Sequence, residues 1–160
     1  TDSAFETKKR VIQQALDLHR PPQDDPVAVL SMVGGLDLAA MTGAFLGCAR
    51  EGVAAVVDGF ISVVAALCAA RLCPAAKDMM FLSHASYEAG YRLAADELGL
   101  EPCLLLGMRL GEGSGCPLMF RVLQGACAVL RDMATFAEGE IQDDYLAPIR
   151  AMDAFTVENT

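Results

Sequence analysis

The sequence predicts an α/β fold in which helices flank a parallel sheet. Two observations carry this prediction. Short apolar runs of strand length alternate with longer segments whose apolar residues recur at helical spacing. A repeated strand–helix order implies right-handed crossovers, which place consecutive strands parallel in one sheet. We therefore expect a three-layer, Rossmann-like arrangement with at least three strands.

Helices dominate the first third of the chain. Asp25 followed by Pro26 is a typical helix start, because Asp can cap the helix and Pro fits its first turn. Gly34 and Gly35 break that helix, and Gly52 ends the next one. The predicted helices run over residues 5–18, 26–33 and 36–50.

Three strands and three further helices follow in alternation. The run at 53–57 is continuously apolar and β-branched, as in strands buried on both faces. The helix after it is apolar almost all round and is therefore expected to be buried. The predicted strands are 53–57, 79–82 and 102–106, and the predicted helices are 60–72, 87–98 and 116–133.

A polar side chain follows each predicted strand. Asp58 follows the first, Ser83, His84 and Ser86 follow the second, and Glu112 follows the third. The carboxyl ends of parallel strands share one edge of a sheet, and ligands of open α/β sheets bind at that edge. These residues are therefore expected to converge.

The glycine-rich loop at 107–115 is the most informative stretch. Glu112 lies between Gly111 and Gly113, where glycines allow positive φ angles and close approach of the backbone to a ligand. A carboxylate in such a loop can accept a proton when its surroundings exclude water. The alternative is a plain connection whose glutamate is only solvated.

Composition excludes several classes of protein. A length of 160 residues suits one domain, and 54% hydrophobic with 21% charged residues is typical of a globular chain. A net charge of -9 argues against a nucleic-acid surface. No apolar run is long enough to span a membrane, and the polar start predicts no signal peptide.

The 6 cysteines form no Cys-x-x-Cys pair, so we expect free thiols in the cytoplasm and no metal site.

Eight segments of the chain stand out together by their order and spacing. They are ALDLHRP at 15–21, VGGL at 33–36, VDGFI at 57–61, AARLCP at 69–74, SH at 83–84, LGLEP at 98–102, GMRLGEGSG at 107–115 and DMATF at 132–136. In this order and spacing, over about residues 8–136, they specifically resemble a known enzyme family, the nicotinate-nucleotide:dimethylbenzimidazole phosphoribosyltransferases of cobalamin biosynthesis.

The resemblance implies a glycosyltransferase that moves the phosphoribosyl group of nicotinate mononucleotide to 5,6-dimethylbenzimidazole, without a cofactor or metal. It implies that Glu112 is the general base, that Lys8 and Ser86 bind the phosphate, and that Leu110 lines the benzimidazole pocket. Together with the strand-end pattern, it adds Asp58, Ser83, Gly111 and Gly113 as candidate substrate-binding residues.

The chain departs from the family pattern in two ways. After Ser-His the family continues Arg-Ser-Ala-Glu-Pro-Gly-His, whereas residues 85–91 read ASYEAGY. The family's upstream half is also missing from this sequence. Residues 1–135 are therefore expected to be the C-terminal part of the α/β domain, and residues 136–160 an acidic, helical tail.

The missing half limits what the chain alone is expected to do. We expect no catalysis by the isolated chain, and association either as a homodimer or with the missing half, because strand edges and apolar surface are left open. A non-catalytic binding or structural domain is the rival interpretation. A generic nucleotide-binding domain is disfavoured, because no Gly-x-Gly-x-x-Gly or Walker motif follows a strand.

Overall fold

The computed structural model describes residues 2–142 of the chain. Within these residues helices alternate with two short strands, and a 3₁₀ helix precedes the second strand. The elements are α1 (Asp2–His19), α2 (Pro26–Val33), α3 (Leu36–Glu51), β1 (Ala55–Val57), α4 (Phe60–Leu72), the 3₁₀ helix (Pro74–Met79), β2 (Met80–Leu82), α5 (Ala89–Leu98) and α6 (Cys116–Asp132).

The predicted helix boundaries of the first third are confirmed to within a few residues. The Asp25 carboxylate caps α2 by accepting hydrogen bonds from the backbone N–H groups of Val27 and Ala28, at 3.1 and 3.0 Å. Gly52 ends α3 in the left-handed conformation, with φ 66°.

The predicted parallel sheet is confirmed for its first two strands. β1 and β2 pair in parallel, with Ala55 opposite Met80 and Val57 opposite Leu82. The helix between them, α4, is buried as expected and packs against both α3 and α5. Small residues on α4 allow this close packing, because Ala65, Ala66 and Ala69 are fully buried. The result is a mixed fold of helices and a small parallel sheet, with its core between the sheet, α3, α4 and α5.

The third predicted strand is wrong as a full strand. One parallel bridge joins His84 to Leu104, where the backbone N–H of Leu104 donates to Ser83 O at 3.0 Å. Beyond the bridge, Leu105 is 80% exposed and Leu106 58% exposed, and Gly107 turns the chain with φ 62°. Pairing stops because no further layer covers these leucines within the described residues.

Two smaller corrections have local causes. β1 begins two residues later than predicted because the N–H of Val53 donates to Cys48 O at 2.8 Å and so still belongs to the end of α3. α5 begins at Ala89 rather than at residue 87, with Glu88 as its N-cap residue.

The chain divides into two compact units, Thr1–Arg121 and Val122–Thr160. The second unit begins within α6, and its described part ends in a turn where the N–H of Ile141 donates to Phe136 O at 2.9 Å. The predicted helix of the tail falls mainly on residues 143–160, which lie outside the described residues. No helix in the described part is long and apolar enough to cross a membrane.

The hydroxyl of Tyr91, on α5, is a polar group inside the apolar core. Tyr91 is 2% exposed, and its hydroxyl has no hydrogen-bond partner in the described part of the chain. Burial, reinforced by the nearby charge of Glu101, raises the pKa of Tyr91 to about 12.

Replacing Tyr91 with Phe is therefore expected to stabilise the fold by about 1 kcal/mol at pH 7, because an unpaired buried hydroxyl is removed. Wild type should lose about 1–2 kcal/mol more than the variant between pH 10 and 12, since its unfolded state releases the tyrosine proton first. Urea unfolding at pH 7 and pH 11 measures both effects. Tyr87→Phe, at an exposed position, is the control, and an identical alkaline loss in Tyr91→Phe would contradict the prediction.

Candidate active site

A cavity of about 360 Å³ lies at the carboxyl edge of the sheet. Four parts of the first unit line it: α3, the β1–α4 junction, the segment after β2, and the glycine-rich loop at 107–115. Its lining residues include Met41, Asp58, Gly59, Phe60, Ile61, Ser62, His84, Ser86, Glu88, Met108, Arg109, Leu110, Gly111, Glu112 and Gly113.

Asp58 ties the glycine-rich loop to the sheet. Its Oδ2 accepts a hydrogen bond from the N–H of Gly113 at 3.1 Å, and its Oδ1 accepts one from the N–H of Gly115 at 2.8 Å. One carboxylate thus orders two backbone groups on either side of Ser114. The convergence predicted for Asp58 and Glu112 is present in the structure.

Ser83 and His84, which follow β2, contact Asp58. Ser83 is fully buried and does not line the cavity, and its Oγ donates to the carbonyl oxygen of Asp58 at 3.1 Å. His84 Nδ1 lies 3.0 Å from Ser83 Oγ and 3.7 Å from Asp58 Oδ1. Because the hydroxyl proton of Ser83 is already donated, this pattern places the imidazole proton on Nδ1. Ser83 and His84 thus hold Asp58, and through Asp58 they support the glycine-rich loop.

Gly115 is required where the loop crosses this cluster. A Cβ atom there would overlap His84 Nδ1 and approach Ser83 Oγ to 2.6 Å and Asp58 Oδ1 to 2.9 Å. The signal in the sequence was the glycine itself, which ends the glycine-rich loop directly before the helix that begins at Cys116.

We expect Gly115→Ala to destabilise the chain by about 1–3 kcal/mol, because buried polar atoms must move to admit one methyl group. Gly47→Ala in α3 is the matched control. Nothing lies within 4 Å of the Cβ position at Gly47, so this variant should gain about 0.5–1 kcal/mol from helix propensity. Denaturant unfolding of both variants checks the prediction, and equal stabilities would contradict it.

Glu112 sits at the tip of a left-handed turn. Its φ is 58°, between Gly111 at 73° and Gly113 at 75°. Such a conformation is uncommon for a residue with a side chain and carries a steric cost. The turn presents Glu112 at the cavity beside Leu110, and both side chains are exposed in this chain. The described residues therefore do not exclude water from the carboxylate.

Ser86 also lines the cavity, but it does not cap a helix. α5 starts at Ala89, and the Ser86 hydroxyl donates to the Glu88 carboxylate, a bond that lowers the pKa of Glu88. Lys8 lies on the exposed helix α1, which packs against α2, and it is not among the lining residues. Of the eight candidate site residues, the structure thus brings six to the cavity: Asp58, Ser86, Leu110, Gly111, Glu112 and Gly113. His84, which was also predicted at this edge, lines the cavity too, and Ser83 lies beneath it.

Comparison with known proteins identifies the family. The model of a family described as phosphoribosyltransferase matches residues 1–141. The chain belongs to this phosphoribosyltransferase family. A nicotinate-nucleotide–dimethylbenzimidazole phosphoribosyltransferase of Clostridium perfringens is 50% identical over 156 residues, which are 98% of this chain and 43% of that protein. A protein of the same name from Pseudomonas aeruginosa is 48% identical over 136 residues, 85% of this chain and 39% of its own length.

Solved structures of the family share the fold. The crystal structure of CobT from Thermus thermophilus matches with a TM-score of 0.81 and 34% identity, covering 89% of this chain and 42% of that one. The resemblance inferred from the eight segments is confirmed, as is a partial α/β domain. The chain spans less than half the length of the curated relatives it matches.

Several cavity residues of this family member were not predicted. Met41 gave no signal beyond core packing, whereas Arg109 lay inside the glycine-rich motif. Phe60 packs its ring against Gly90, where a Cβ would lie 2.5 Å from it.

Cys116, at the start of α6, is not a candidate nucleophile. Burial, with the charge of Asp58 adding to it, raises the pKa of the Cys116 thiol, which makes this cysteine a poor nucleophile. Among the described residues, no three His, Cys, Asp or Glu side chains gather in a way that could hold a metal ion.

Proposed function

We propose that this chain carries the general base of an enzyme that transfers the phosphoribosyl group of nicotinate mononucleotide to 5,6-dimethylbenzimidazole, forming α-ribazole phosphate for cobalamin. The observation that carries the proposal is Glu112, presented at the cavity on a turn that Asp58 anchors through two backbone hydrogen bonds. The names of the relatives support this substrate pair.

The chemistry requires one proton acceptor. A benzimidazole ring nitrogen forms a bond to ribose C1′ while the bond from C1′ to the nicotinate nitrogen breaks, and nicotinate leaves with that electron pair. The other benzimidazole nitrogen loses its proton, which Glu112 accepts. In this proposal Leu110 contacts the base, Gly111 and Gly113 let the backbone approach the substrate, and Ser86 binds the phosphate. The phosphate role of Lys8 stays a prediction.

The rest of the fold would supply the water exclusion that Glu112 lacks here. Apolar side chains on α1 support such a missing layer, since Ile12 is 61% exposed and Leu18 is 77% exposed. We propose that residues 1–135 are the C-terminal part of the catalytic domain, followed by the acidic tail of 136–160. Association with the remainder of the protein, or as a homodimer, and a cytoplasmic location belong to the same proposal.

Turnover tests the proposal. The purified chain is compared with a full-length chimera in which it replaces the matching part of the Clostridium perfringens relative. Formation of α-ribazole phosphate is measured from nicotinate mononucleotide and dimethylbenzimidazole. We expect product from the chimera and none from the chain alone. An inactive but folded chimera, beside an active intact relative, would favour the rival non-catalytic domain.

A further inference from the structure

We propose that Arg109, whose guanidinium lies over the ring of Tyr87, binds the phosphate of the mononucleotide in this cavity. The inference rests on the proposed function. Arg109 lines the cavity, and its Cζ lies 4.0 Å from the centroid of the Tyr87 ring. A guanidinium stacked on an aromatic face keeps its N–H edge free to donate in the plane. That edge is therefore available for an anion.

The charges around the cavity single out this side chain. Among the described lining residues Arg109 alone is a Lys or Arg, whereas Asp58, Glu88 and Glu112 are acidic. A doubly charged phosphate needs positive charge to offset those carboxylates.

Among the described residues, the Arg109 side chain has no hydrogen-bond or ion-pair partner. Asp58 accepts from two backbone N–H groups, and Glu88 accepts from Ser86. Within residues 2–142 no carboxylate forms an ion pair with Arg109, although three line the same cavity. Its positive charge therefore remains available to a ligand.

The position of Tyr87 directs the guanidinium to one part of the substrate. Tyr87 directly follows Ser86, whose hydroxyl is the other proposed phosphate contact. A phosphate there would accept a bidentate pair of hydrogen bonds from Arg109. It would also accept one from the Ser86 hydroxyl, which now donates to the Glu88 carboxylate. Tyr87 acts through Arg109 and is a positioning residue.

Binding to the purified chain, measured by titration calorimetry, tests the inference. The ligands are nicotinate mononucleotide, nicotinate riboside, which lacks the phosphate, and ribose 5-phosphate, which lacks the base. Arg109→Ala should raise Kd for both phosphate-bearing ligands by about 10–100-fold and leave riboside binding unchanged. Arg109→Lys should recover only part of the lost affinity, because an ammonium group neither stacks on the Tyr87 ring nor donates a bidentate pair of hydrogen bonds.

Variants of Tyr87 separate positioning from structure. Tyr87→Ala should raise Kd about 2–5-fold, and Tyr87→Phe should restore the wild-type value, because the ring face rather than the hydroxyl holds the guanidinium. Arg92→Ala is the matched control on α5, outside the cavity, and should leave Kd unchanged.

The outcomes separate this inference from the proposed function. Equal Kd values for Arg109→Ala and wild type overturn the inference even if the chimera turns over. Arg109-dependent binding of ribose 5-phosphate to the chain, beside a folded chimera that forms no product, supports the inference while the proposed function fails. A wild-type chain that binds neither phosphate-bearing ligand has no such site, and the inference is then wrong.

Discussion

Replacing Glu112 with Gln in the full-length chimera is expected to lower kcat by about 10²–10⁴-fold, the usual scale for loss of a general base. Glutamine keeps the size of the side chain and one acceptor oxygen but cannot accept the benzimidazole proton. Binding of nicotinate mononucleotide should hardly change, because other residues hold its phosphate. Steady-state kinetics for kcat and calorimetry for Kd measure the two effects separately.

The control for this prediction is Glu51→Gln, at the exposed end of α3 and outside the cavity. It should leave both constants unchanged. Weaker nucleotide binding with an intact kcat would instead make Glu112 a positioning residue. No effect on either constant would mean that the loop is a plain glycine-rich connection and that Glu112 is only solvated.

Asp58→Asn is expected to show the second large effect, on both stability and rate. An amide offers one oxygen where the carboxylate now accepts from the N–H groups of Gly113 and Gly115, and the Asp58 side chain is only 13% exposed. One partly buried N–H group should lose its partner, at a cost of about 1–3 kcal/mol. A displaced loop moves Glu112, and a misplacement near 1 Å costs about 10²-fold in rate.

Asp24→Asn, on the exposed segment before α2, is the matched control and should change neither quantity. Unfolding by urea gives the stability difference, and kcat of the chimera gives the rate. If Asp58→Asn unfolds like wild type and keeps its kcat, the loop does not depend on this carboxylate and our account of the site is wrong.

The fold was predictable where local chemistry decides it. The Asp25–Pro26 start of α2 and the left-handed glycines after α3 and α5 fix helix ends within the chain itself. The third strand was not predictable from its apolar run, because strand length depends on what covers it. Leu105 and Leu106 have the composition of a buried strand and are exposed. The three-layer, Rossmann-like arrangement stays a prediction for the complete protein.

The site was predictable in position but not in contacts. Strand ends placed Asp58 and Glu112 at one edge, since parallel strands share it. Residue order could not show that Asp58 binds the loop backbone, or that Ser83 lies beneath the cavity, because both facts depend on side-chain direction. Arg109 and Tyr87 are separated by a whole helix and its flanking segments, and no local pattern links them.

The left-handed turn at 111–113 sets two opposing evolutionary pressures on position 112. The backbone alone favours glycine or asparagine there, because a larger side chain at positive φ costs on the order of 1 kcal/mol. Proton transfer, as proposed, tolerates only a carboxylate. A lineage released from catalysis should therefore drift at this position toward glycine or asparagine before it drifts at Asp58, which the loop needs for folding. Glycine or asparagine at position 112 beside a retained aspartate at position 58 would then mark a descendant that has lost the general base.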